Sequence, residues 1–61
     1  MNEDQFKGKW NQAKGKMKQK YAELTDDDLQ YAEGKSDELL GRLQEKTGKT
    51  KEELKREIDS Y

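Results

Sequence analysis

Sixty-one residues bound the chain to one small domain, and 28% hydrophobic against 44% charged residues, with thirteen Lys and Arg facing fourteen Asp and Glu, leave a net charge of only −1. The absence of His and Cys excludes a His-based triad, a zinc or haem site, a thiol redox couple and any disulfide, so no cofactor is expected. Size scaling gives roughly 4,100 Å² of folded surface against about 10,400 Å² unfolded, too little burial for more than marginal stability.

No stretch alternates with period two, and the β-branched residues are only Thr25, Thr47, Thr50 and Ile58, which predicts an all-α fold. The first helix is announced by Asn2 as N-cap with Gln5 three residues on, and Met1 and Phe6 stand at the positions of a hydrophobic staple. From there Phe6, Trp10, Ala13, Met17 and Tyr21 fall within about 80° of one another on a helical wheel and form one apolar stripe. Thr25 predicts the start of a second helix, with Asp26, Asp27 and Asp28 in its first turn, Leu24 and Leu29 as staple, and Gly34 as its end. Ser36 caps a third helix carrying Leu39, Leu40 and Leu43 and closed by Gly48. Thr50 with Glu53 is a capping box for a fourth, carrying Leu54, Ile58 and Tyr61. The expected core is Phe6, Trp10, Met17, Leu24, Leu29, Leu40, Leu43, Leu54 and Ile58, in a single domain spanning 1–61.

A weak internal repeat supports two helical hairpins of similar plan: Gly8 and Gly15 are seven apart, as are Gly34 and Gly41, and each unit is followed by a Thr-led start. The run Lys7-Gly8-Lys9-Trp10, the trio Lys14-Gly15-Lys16, the segment Leu24-Thr25-Asp26-Asp27-Asp28-Leu29, then Glu33-Gly34-Lys35, Leu40-Gly41-Arg42-Leu43-Gln44-Glu45 and Gly48 resemble the CsbD-like proteins, a family of small bacterial stress-induced proteins. The resemblance covers nearly the whole chain. It implies a cytoplasmic protein of the general stress response, without catalytic activity, folded as four helices in two crossed hairpins similar to sterile-alpha-motif domains. Ala22 and Thr47 replace a more usual glycine and aromatic, and Tyr61 stands in for a C-terminal Trp, departures that bear on local packing.

Charge is segregated along the chain. Residues 5–20 carry six Lys and no acid, whereas residues 22–38 carry seven acids and only Lys35. The candidate partner-binding surface is therefore Lys7, Gly8, Lys9, Lys14, Gly15, Lys16, Lys18 and Lys20. Lys7, Lys14 and Lys18 lie on one flank of the apolar stripe and Lys9, Lys16 and Lys20 on the other. A basic helix of this kind suits nucleic acid or an anionic membrane surface; equally, the lysines serve as a solvated face that neutralises the neighbouring acids. Gly8 and Gly15 project behind the stripe, where each costs about 0.8 to 1 kcal/mol relative to Ala, and Gly41 lies likewise opposite Leu39. They fit close packing between hairpins, a binding notch, or deliberately low stability.

Asp26, Asp27 and Asp28 lack the spacing of a calcium loop, since Tyr31 stands where that loop needs Gly, and serve better as helix N-terminal charge. Trp10, Phe6 and Tyr21 are core residues first, with a stacking platform for bases as the sharper alternative. With no apolar run of membrane-spanning length, and with neither a basic start nor an apolar stretch in Met1-Asn2-Glu3-Asp4, the expectation is a cytoplasmic monomer. Its function is then that of a non-enzymatic stress protein acting by binding or by protective abundance, toward an unspecified protein partner or through abundance itself. The alternatives are a weak, non-specific nucleic-acid-associated module using the Lys-rich first helix, and a hydrophilin-like protectant that works largely disordered.

Overall fold

The computed structural model describes residues 2–61 and places three helices among them: α1 (Glu3–Lys20), α2 (Ser36–Thr47) and α3 (Lys51–Ser60). α1 starts as its cap predicts: the Gln5 N–H donates to Asn2 Oδ1 at 2.8 Å and the Asn2 N–H donates to Gln5 Oε1 at 3.3 Å. Glu3 and Asp4 face the positive end of the helix dipole, Lys18 and Lys20 the negative end. The staple partner Met1 lies outside the described residues. α3 opens with the same reciprocal box, the Glu53 N–H to Thr50 Oγ1 at 3.1 Å and the Thr50 N–H to Glu53 Oε1 at 3.0 Å. α2 ends at Gly48, whose φ of 75° is strained for any residue with a Cβ and whose N–H closes on Gln44 O.

The four-helix plan of two crossed hairpins does not hold. Thr25 does form its cap, with the Thr25 N–H on Asp28 Oδ2 at 3.1 Å and the Asp28 N–H on Thr25 Oγ1 at 3.2 Å, but the segment makes one turn and stops. A second helix would need the carbonyls of Asp27, Leu29 and Gln30 for its own ladder. Instead Leu29 O accepts the Trp10 indole N–H at 2.9 Å and Gln30 O accepts from Arg42 Nη1 at 3.4 Å, while Asp27 O closes only a tight turn with the Gln30 N–H at 3.3 Å and shares its second lone pair with Arg42 Nη1 at 3.2 Å. Side chains from α1 and α2 thus take the acceptors that propagation requires, and three successive Asp add little intrinsic helix propensity to resist them. Gly34, with φ of 79°, ends no helix; it turns the chain into α2, and Lys35 N–H closes that turn on Ala32 O. Ser36 is not a cap either. It is the first residue of α2, where no side chain caps the helix, and its hydroxyl donates to Glu3 Oε1 at 2.6 Å, joining the starts of α1 and α2.

α2 and α3 form a hairpin across a short link, and α1 packs on α3. Segment 21–35 closes the third side by inserting Leu24 and Leu29. All nine expected core residues are buried, joined by Ala13 and Leu39, and Tyr21, Tyr31 and Tyr61 pack at the rim. Phe6 stacks on Trp10 with ring centroids 6.4 Å apart and planes 7° from parallel, and Tyr31 tilts against Phe6 at 5.5 Å. The surface area, 4100 Å², is that of a folded chain of this mass.

Candidate functional site

The apolar stripe of α1 is fixed against α3 and the 21–35 segment, so its two lysine rows lie along the borders of the buried face. Four of the six lysines find acids from other elements. Lys7 Nζ lies 3.4 Å from Glu33 and Lys18 Nζ 2.6 Å from Asp26 on one border; Lys9 Nζ lies 3.5 Å from Asp59 and Lys20 Nζ 2.6 Å from Glu57 on the other. Lys14 and Lys16 make no ion pair among the described residues. The neutralising role of these lysines is therefore what most of them perform, although their side chains stay 42 to 56% exposed and such pairs exchange readily with solvent ions.

An open groove of about 610 Å³ runs between α1 and the turn after Thr25. It brings together Lys7, Lys14, Gly15 and Lys18 with Asn11 and Tyr31 over a floor that includes Leu29. Gly8, Lys9, Lys16 and Lys20 are not part of it. A Cβ on Gly8, Gly15 or Gly41 would meet nothing within 4 Å, so close packing between hairpins is not why these glycines are there.

Two polar clusters escape sequence reasoning because they join residues far apart in the chain. Glu57, its side chain 15% exposed, accepts from Tyr21 Oη at 2.8 Å, from Tyr61 Oη at 2.9 Å and from Lys20 Nζ, tying the C-terminal ends of α1 and α3. Burial pushes its carboxyl up, but the bonds from Lys20, Tyr21 and Tyr61 outweigh burial and hold it below the usual carboxylate range. Burial, and then the bond to Glu57, raise both phenols. Only the Glu57 and Tyr61 pairing, four apart at the end of a helix, is legible in the sequence. At the other end of the molecule Glu3 accepts from Ser36 and from the Tyr31 hydroxyl, and those two bonds lower its carboxyl. Both clusters are latches between helix ends. Among the described residues, no three His, Cys, Asp or Glu side chains converge as metal ligands, and no helix is long and apolar enough to cross a membrane.

A small three-helix domain with charged borders and latched ends is the class that the geometry defines. The family profile described as CsbD-like matches residues 4–56. Over its whole length the chain is 52% identical to the UPF0337 protein ECA0631 of Pectobacterium atrosepticum, covering 88% of that protein. It is 48% identical to the UPF0337 protein PA4738 of Pseudomonas aeruginosa, covering 94%, and 46% identical to the UPF0337 protein YjbJ of Escherichia coli, covering 88%. The chain belongs to the CsbD-like family. No solved structure matches it.

Proposed function

We propose that this chain is a non-enzymatic, stress-associated cytoplasmic monomer that acts by binding a partner or by protective abundance. The stress link follows the character of the CsbD-like family. The observation that carries the non-enzymatic part is where the best organised polar groups are spent: Glu57 and Glu3, each held by three or two side-chain donors, join helix ends. A hydrated exterior rich in charges of both signs over a closed apolar core suits a protein kept in quantity.

Crosslinking with affinity capture from stressed cells tests the binding arm, and inactivation of a freeze-labile enzyme tests the abundance arm. A discrete stoichiometric partner supports binding. Protection that rises with mass concentration without saturating supports abundance; the failure of both arms would overturn the proposal.

Lys14 and Lys16 favour a second reading, a weak nucleic-acid module. With four lysines already paired, about two phosphate contacts remain, and the log-log salt slope on duplex DNA is then near −1.8, half that of four contacts. Sub-micromolar, sequence-selective binding at physiological salt would put this reading first.

A further inference from the structure

We propose that the groove between α1 and the turn after Thr25 docks an extended peptide segment of a partner protein, with one acidic side chain of that segment on Lys14. Lys7, Lys14 and Lys18 stand along one wall of this groove, about 16 Å from first to last at ~1.5 Å per residue, which matches about five residues of extended chain. Its volume of about 610 Å³ falls within the roughly 300 to 1,000 Å³ of ligand clefts. The two ends carry their own acids, since Lys7 pairs with Glu33 and Lys18 with Asp26. Lys14, between them, has no ion pair among the described residues. Charge along the groove therefore runs neutral, positive, neutral, and its complement is a single carboxylate with uncharged neighbours.

The remaining groups fit a peptide. The side-chain amides of Asn11 and Gln30 line the groove, and each can both donate to and accept from a peptide unit. Tyr31, half-buried, and the lysine stems offer apolar surface to flanking side chains. Leu29 and Trp10 lie beneath, 7% and 1% exposed, so the occupant rests on a closed core and no element has to move. Gly15, at the edge of the α1 wall, has open space where a Cβ would stand, which leaves that side of the groove low. A nucleic-acid strand fits less well: its phosphates repeat at every nucleotide, and at both ends they would face Glu33 or Asp26 rather than an unpaired cation. This inference deepens the binding arm of the proposed function; a partner captured from cells whose binding ignores Lys14 removes the groove and leaves that arm standing.

The test pans a phage library of random seven-residue peptides against the full chain, and compares the parent with Lys14→Gln and Lys16→Gln, both at exposed positions. Lys16 is equally unpaired but lies on the opposite border, outside the groove, so its variant removes the same charge without touching the site. The expected result is enrichment of peptides with one acid beside an apolar residue. A synthetic copy of the most enriched peptide should bind Lys14→Gln about fivefold more weakly than the parent and Lys16→Gln as tightly as the parent. It should also shift the side-chain amide NMR signals of Asn11 and Gln30. No enrichment, enriched peptides without an acid, the same loss in both variants, or an unchanged affinity of Lys14→Gln would each overturn the proposal. Displacement of the peptide by an equal concentration of an eight-nucleotide oligothymidylate would overturn it too, assigning the groove to nucleic acid.

Discussion

Trp10 does two jobs at once. Its ring is 1% exposed in the middle of the core, and its indole N–H holds Leu29 O, so one side chain both fills the interior and fixes the path of segment 21–35. Trp10→Ala should therefore cost roughly 3 to 5 kcal/mol and leave most molecules unfolded; a thermal melt unchanged from the parent chain would refute this placement. Glu57 shares the acid side of the pH response with Glu3, Asp28 and Glu53, whose carboxyls are lowered by their own hydrogen bonds. Its folded pKa lies below the unfolded one, so its stabilising contribution is complete above the unfolded value and is lost as pH falls through the folded value. Tyr21 and Tyr61 are raised, so theirs is complete below the ordinary tyrosine range and is lost as pH rises through their folded values. Melting temperature followed across pH should fall on both limbs, and Glu57→Gln should flatten the acid limb. An acid limb of undiminished slope in that variant would show that other carboxylates set it.

The helices show where local sequence decides structure and where it does not. Thr25 and Thr50 carry the same cap signal and both form the reciprocal box, yet only Thr50 leads a helix. Thr50 is followed by Leu54 and Ile58 on one buried face, whereas the carbonyls after Thr25 are taken by Trp10 and Arg42, partners 19 and up to 15 residues away. Caps, the stripe of α1, the core residues and the Gly48 stop are legible because they depend on neighbours within a turn. The lost helix, the Ser36 contact with Glu3 and the Glu57 cluster depend on which distant side chain arrives. The glycines follow the same division. Gly8→Ala, Gly15→Ala and Gly41→Ala should each stabilise the fold by about 0.8 to 1 kcal/mol in urea unfolding, since each Cβ meets open space. Gly48→Ala, at positive φ, should instead destabilise it. Loss of stability in the first three variants would mean that those positions are more crowded than their geometry allows.

For the molecule as a whole, segregated charge along the chain becomes paired charge in space. The basic residues 5–20 meet the acidic segment through Lys7 with Glu33 and Lys18 with Asp26, and meet α3 through Lys9 with Asp59 and Lys20 with Glu57. The first three pairs are exposed and contribute little on their own, whereas Lys20 with Glu57 belongs to the part-buried latch, so the apolar core, that latch and the segment held by Trp10 carry the fold. Amide and indole hydrogen exchange, detected by NMR in plain buffer, tests this most directly. Protection is expected in three stretches matching α1, α2 and α3, together with a protected Trp10 indole N–H and fast exchange through most of segment 21–35. A fourth protected stretch beginning at Thr25, or an unprotected Trp10 indole in a chain exchanging freely throughout, would contradict it.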